Sequence, residues 1–578
     1  MHSYVLSTGL RLLVLPRPEG GPVLSVTAHH DVGAWDEPGG STGYAHLLEH
    51  MMFKGTPRTG GGGGGGGEGS NGGWAGERAA LEEVDGAFEA VRAARRAAGL
   101  RVEGYSIGGN GGGGSSGSSS NGGTSSSSSG GALPPDVARL EAELARLIAA
   151  AAAYARQEGG YGARLQAAGA VGLNAATSHD ETRYFCSLPA NRLELWMALE
   201  SERLAAPVFR QLHEEKRVVA EERRARLEAS PRGKFQAAMA ERAFLGLAGS
   251  QGGGGGGGGT GGGGGGIGGG GGNTNNYGRP VLGYAEDVAS AGRRELAAFF
   301  RERYGPRAAV LAVAGDVSAA TGVADGSRAC ERVAAMAERY FGLWEGGPPP
   351  AAAAAGGGGG GGAAAAYDNR LPLGAELPPR FSAGAAEYVA RSPAGPAVYL
   401  AYPRPSLAAG GADGVALEAA CDALSSGRAS RFGAALVRPG KAIGATLVPG
   451  WPGDKHAGAC LAAGVPAEGA AADEAACWRL ARLMQDEADR LAASGVTEAE
   501  LARVKRGAAV GLLSATQSNA GLAGALAAYE ATVPGGWRGL LRELGELEAL
   551  SGEQVRAAAE RTFDQRGRFV GLMLPEAA

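Results

Sequence analysis

His46-Leu47-Leu48-Glu49-His50 lies in a 578-residue chain that has only eight histidines. On a helix, positions i, i+3 and i+4 share one face, so both imidazoles and the carboxylate project together. Two histidines one turn apart suit a single zinc ion, with Glu49 beside the open coordination position. Thr42-Gly43 just upstream is the expected N-cap, and Gly55-Thr56-Pro57 is expected to end the helix after Phe53. Two imidazoles leave a catalytic zinc one protein ligand short, and a carboxylate is a usual third. The charged stretch 211–228 reads as a helix rich in glutamates, where Glu215 and Glu222, seven apart, share a face.

The longer run Gly43-Tyr44-Ala45-His46-Leu47-Leu48-Glu49-His50-Met51-Met52-Phe53-Lys54-Gly55-Thr56 resembles the signature of the pitrilysin/insulinase metallopeptidases. These are inverzincins, with the motif order H-x-x-E-H, and they include mitochondrial processing peptidase. The resemblance continues through Leu173-Asn174-Ala175-Ala176-Thr177-Ser178 with Asp180, Thr182 and Tyr184, and through Glu215-Lys216-Arg217-Val218-Val219-Ala220-Glu221-Glu222. Gly427-Arg428-Ala429-Ser430-Arg431-Phe432 resembles the second-domain signature.

The resemblance implies an α+β chain of two homologous α/β-sandwich domains, the N-terminal one catalytic and the C-terminal one inert. It implies Zn2+ as cofactor, held by His46, His50 and Glu222, with Glu215 as a neighbouring carboxylate and Glu49 as the catalytic base. Asn174 and Ala175 would lie on the edge strand that pairs with an extended peptide, and Arg438 would face the substrate from the second domain. The family often carries a Tyr seven positions after that Arg; here the residue is Ala445. The implied activity is zinc-dependent endopeptidase cleavage of peptides or unfolded protein segments. A presequence-processing peptidase and a non-catalytic assembly subunit are the alternatives. Two domains make half of the chamber that longer members enclose, which implies a homodimer or a heterodimer with a related subunit.

Composition bounds the rest. The chain has 105 glycines, many in the runs Gly60–Gly67, Gly111–Gly131 and Gly252–Gly272, and a Pro/Ala/Gly tract spans Pro348–Ala366. Such segments offer almost no large apolar side chain to offset ordering entropy, so they read as loops or linkers that add nothing to the core. A formal charge of −4, with basic and acidic residues interspersed, gives no reason to expect nucleic-acid binding. The five cysteines are scattered without C-x-x-C spacing, against a disulfide framework or a thiolate zinc site. No apolar run approaches a membrane span and no signal-peptide layout opens the sequence. Compartment therefore stays open.

Hydrophobic periodicity gives the plan of the chain. Tyr4–Leu15 and Val23–Val32 read as two strands that lead to the H-x-x-E-H helix, with His29 and His30 on opposite faces and neither expected to be a ligand. Leu81, Val84, Phe88 and Val91, then Val137, Leu140, Leu144, Leu147 and Ile148, recur at helical spacing and predict an inserted helical hairpin. Strands at 172–177, 183–188 and 308–314 and helices at 193–204, 211–228 (stopped by Pro231) and 329–341 follow. The second half repeats the plan: strands at 397–401, 444–448 and 457–464, and helices at 415–424, 470–493 and 498–514. Its first helix, with Ala416-Leu417-Glu418-Ala419-Ala420-Cys421, is too apolar to form a metal site. The expected division is 1–346 catalytic, with the hairpin and Gly/Ser loops at 60–160 and the Gly run at 252–272; 347–366 linker; and 367–578 inactive.

Overall fold

A computed structural model describes residues 1–59, 73–101, 133–155, 160–245, 275–346, 387–408 and 411–576. The Gly/Ser loops, the Gly run at 252–272 and the linker lie outside the described residues, apart from the helices that flank them.

The first half holds strands β1 (His2–Val5), β2 (Arg11–Pro16), β3 (Val23–His30), β4 (Val171–Thr177), β5 (Thr182–Pro189) and β6 (Ala309–Gly315). They form one sheet in the order β1-β2-β6-β3-β5-β4. The N-terminal stretch expected as one strand is a hairpin: Gly9, at φ +86°, turns the chain, and β1 pairs antiparallel with β2. The helices are α1 (Tyr44–Met51), α2 (Gly73–Ala97), α3 (Pro135–Ala152), α4 (Tyr161–Ala167), α5 (Leu193–Ala205), α6 (Leu212–Arg223), α7 (Pro231–Leu245), α8 (Ala285–Ser290), α9 (Arg293–Arg303), α10 (Val317–Thr321) and α11 (Gly326–Phe341).

Strands β7 (Glu387–Ser392), β8 (Ala397–Arg404), β9 (Ala442–Trp451), β10 (Gly458–Pro466) and β11 (Phe569–Pro575) make the second sheet, ordered β7-β11-β8-β10-β9. Its helices are α12 (Ala412–Ser425), α13 (Glu474–Ser494), α14 (Glu498–Thr516), α15 (Asn519–Thr532), α16 (Arg538–Ala549) and α17 (Gly552–Thr562). In each sheet one parallel pair, β2 with β6 and β7 with β11, is followed by three antiparallel pairings. The two halves are thus topological duplicates, and β1 is the extra strand. The fold is α+β with two homologous sheet-and-helix units.

One face of each sheet packs on its own helices. In the first half Leu12, Val14, Leu24, Val26 and Leu311 meet Leu47 and Leu48 of α1, Trp196 of α5 and Phe341 of α11. Leu47 and Leu48 are fully buried, worth about 1.5–3 kcal/mol each relative to exposure, and this anchoring fixes the rotation of α1. The opposite faces are covered reciprocally. Ala523, Leu526 and Ala527 of α15 lie on Leu13, Val310, Ala312 and Ala314 of the first sheet. Phe235, Met239 and Phe244 of α7 lie on Tyr399, Leu461, Phe569 and Met573 of the second. Strand β6, Ala309-Val-Leu-Ala-Val-Ala-Gly315, is apolar throughout because both its faces are buried.

The structure refines one further expectation and meets another. The helix expected over 211–228 runs as α6 to Arg223 and as a π-helical turn over Arg224–Glu228, stopping short of Pro231, which itself opens α7, where a missing N–H costs nothing. The predicted hairpin is present as α2 and α3, joined by Val84, Phe88, Val91, Leu144 and Ile148.

Candidate metal centre

Helix α1 starts at the expected Thr42-Gly43 pair, with no side-chain cap from Thr42. Gly43, at φ +84°, is the N-cap residue, and the Glu37 carboxylate accepts hydrogen bonds from the Gly43 and Ala45 amides, each at 2.8 Å. Thr42 instead donates to Asp287 Oδ2 at 2.5 Å. A carboxylate at a helix N-terminus meets both the free N–H groups and the positive end of the dipole. Burial pushes the Glu37 carboxyl well above its ordinary value, against the pull of those two amides.

The helix presents His46, Glu49 and His50 to a cleft of about 550 Å³ that is also lined by Asn174, Ala175, Thr177, Glu215, Glu222 and Arg226. Helix α6 supplies the carboxylates. Glu222 Oε2 lies 3.4 Å from His46 Nε2 and 3.5 Å from His50 Nε2. Two donors each about 2.1 Å from one tetrahedral ion are separated by about 3.4 Å, so this N, N, O set fits zinc in both chemistry and spacing. Among the described residues these three are the group of ligand-type side chains whose donor atoms fall within 4.8 Å of one another.

The neighbours orient the donors. Glu215 Oε2 accepts from His50 Nδ1 at 3.2 Å, which turns Nε2 towards Glu222. Its other oxygen holds Lys54 Nζ at 2.5 Å. Arg226, on the π turn, binds Glu222 Oε1 at 2.9 Å and leaves Oε2 for the metal position. Burial first, then His50 and Arg226, lower His46 to about 3, so its imidazole is neutral, the form that ligates. Burial alone would lower His50 as well, but the hydrogen bond and charge of Glu215, with Glu49 and Glu222, raise it on balance. Burial raises Glu49 against a 2.5 Å hydrogen bond from Thr177 Oγ1.

Asn174 and Ala175 lie on β4, the edge strand beside α1, and Asn174 Oδ1 accepts the exposed Ala175 amide at 2.9 Å. Glu221 faces away and pairs with Arg224. Arg438 does not join the cleft: it is exposed, with Nη2 3.4 Å from the Arg428 carbonyl, and Ala445 packs on the second core. His29 and His30 are buried in β3, His29 against Glu181 and His30 stacked on Tyr304. Arg226 was visible as the i+4 partner of Glu222, whereas Lys54 pairs across to Glu215 on α6. Glu37 and Thr177 act across loops and strands, where spacing says nothing.

Residues 290–508, from the end of α8 to α14, match the family model of the peptidase M16 inactive domain. The sequence likeness to a peptidase M16 inactive domain lies in this stretch. The resemblance to the pitrilysin/insulinase family read from the sequence holds. Among solved structures, a protease from Helicobacter pylori is similar at 18% identity and TM-score 0.62, with 99% of each chain covered. An M16-like peptidase from Alicyclobacillus acidocaldarius is similar at 15% identity and TM-score 0.61, covering 100% of this chain and 98% of that one. A chain of complex III2 from Candida albicans aligns at 12% identity and TM-score 0.57, covering 99% and 95%. These likenesses concern the fold. No curated protein matches the chain in sequence. Among the described residues no helix is long and apolar enough to cross a membrane.

Proposed function

We propose that this M16-type chain is a zinc-dependent metalloendopeptidase acting on peptides or unfolded protein segments. The observation that carries the reading is the spacing of His46 Nε2, His50 Nε2 and Glu222 Oε2 in a cleft that also holds Glu49 and the edge of β4. A bound zinc ion would polarise the scissile carbonyl and acidify the attacking water. Glu49 takes a proton from that water as it attacks and delivers it to the leaving amine nitrogen. Strand β4 aligns the extended peptide by backbone pairing, and the Asn174 side chain gives up the Ala175 amide when a substrate strand takes its place. Residues 1–346 form the catalytic part and 367–578 an inert one, and a second subunit, identical or related, completes the chamber.

The likeness to a complex III2 chain favours a second reading, a non-catalytic subunit that serves assembly. The intact donor set and the free base beside it weigh against that reading. Metal analysis of the purified protein together with a peptide-cleavage assay separates the two. We expect about one zinc per chain and cleavage that chelators abolish; Glu49→Gln should keep the zinc and lose activity by at least about 100-fold. A Glu49→Gln protein that cleaves at the wild-type rate would remove Glu49 from the role of base, and a wild-type protein with neither zinc nor cleavage would favour the assembly subunit.

A further inference from the structure

We propose that Thr177 is a positioning residue that holds the Glu49 carboxylate for proton transfer, an inference that rests on the peptidase reading above. Thr177 Oγ1 lies 2.5 Å from Glu49 Oε2 and 3.4 Å from Thr182 Oγ1. The fully buried Thr182 hydroxyl donates to the Val32 carbonyl at 2.9 Å. The single Thr177 proton therefore goes to the carboxylate, which is the nearer acceptor and the charged one. Among the described residues no second hydrogen bond reaches the Glu49 carboxyl group, so Oε2 is tied and Oε1 is free to receive the proton from water.

The tether is itself rigid. Thr177 is the last residue of β4, in register with Thr182 of β5, and the turn beyond it is closed by the Ser178 amide on the Glu181 carbonyl at 2.9 Å. A two-carbon carboxylate arm on a helix is free to rotate, whereas a hydroxyl on a paired strand is not, and proton transfer falls steeply with misplacement. The same strand carries Asn174 and Ala175, where the peptide is to pair. Substrate docking along β4 and the aim of the base are thus borne by one element, and a peptide that stiffens the edge strand also stiffens the grip on Glu49. The packing core has no need of this hydroxyl: Thr177 is half-buried at the cleft wall.

Thr177→Val keeps the shape and removes the donor; Thr177→Ser keeps the donor and removes the methyl group. The experiment measures zinc content, zinc affinity by chelator competition, and kcat and KM for peptide cleavage in both variants and the wild type. The expected result for Thr177→Val is a fall in kcat of roughly tenfold or more, with KM and zinc affinity unchanged. Thr177→Ser should recover most of the rate. A Thr177→Val enzyme with wild-type kcat overturns the inference, as does a loss of rate that follows loss of zinc or that Thr177→Ser fails to recover. Either result leaves the peptidase reading standing, because the wild type cleaves in the same assay. A wild-type protein that does not cleave overturns both.

Discussion

At the scale of single residues, the metal-competent cluster depends on which carbon chain reaches inward. Glu221 and Glu222 are neighbours on α6, yet only Glu222 places an oxygen within 3.5 Å of both histidines, while Glu221 stands in solvent beside Arg224. Adjacent helix residues point about 100° apart, so one geometry excludes the other. Glu222→Ala is expected to weaken zinc binding by at least about 100-fold and Glu221→Ala to leave it unchanged, as read by metal content after dialysis. Equal zinc in the two variants would move the third ligand elsewhere. His46, Glu49 and His50 were legible in the sequence because they share one face of α1, and Glu215 and Glu222 because they share one face of α6; the choice of Glu222 as ligand came from the family resemblance. The Thr177 and Glu37 contacts were not, since a 2.5 Å contact between residues 49 and 177 leaves no periodic trace.

At the scale of elements, the inserted hairpin proves to be structural. Arg210 is 2% exposed and uses all its N–H groups: Nε and Nη2 on the Glu77 carboxylate of α2, Nη2 also on the Thr56 carbonyl, and Nη1 on the carbonyls of Lys54 and Thr59. It thereby ties the loop that leaves α1 to the start of α6, where Gln211 adopts φ +56° to set the entry angle. Phe88 of α2 packs edge-on against His213 and under the Lys216 ammonium, 4.2 Å from the ring centre. The helix that bears Glu222 is thus clamped between α1 and the insertion. Glu77→Ala leaves a buried guanidinium without its counter-charge and is expected to lower stability by about 3–5 kcal/mol, measured by denaturant unfolding. Stability within 1 kcal/mol of wild type would show that the three carbonyls suffice to hold Arg210.

At the scale of the whole molecule, each sheet borrows its second cover from the other half, α15 for the first and α7 for the second. The halves are also joined by the Asp31–Lys455 pair at 2.7 Å, both side chains buried, with the Asp180 carboxylate accepting the Asp454 and Lys455 amides. Burial raises the Asp31 carboxyl, but the Lys455 charge and hydrogen bond outweigh it and hold it below its ordinary value. The contribution of the pair is therefore complete at neutral pH and lost only as pH falls through that lowered value. Asp31→Asn should destabilise by about 3 kcal/mol at pH 7, the low end for a broken buried pair because Asp36 also faces Lys455. The deficit should shrink in acid. Unfolding measured across pH, with a deficit that persists below the native value of Asp31, would assign the effect to packing.

Periodicity and motif chemistry determined, from the sequence alone, that His46, Glu49 and His50 share a helix face, that the hairpin forms, and that the second half repeats the first without its ligands. These are local facts, fixed by 1.5 Å of rise and 100° of rotation per residue. Only the tertiary structure decided that Glu222 meets the two histidines, that Arg438 stays out of the cleft, that α7 and α15 cross between halves, and that Thr177 reaches the base. Those contacts join residues tens to hundreds of positions apart, and their distances depend on how buried faces pack, a quantity that no local pattern in the chain encodes.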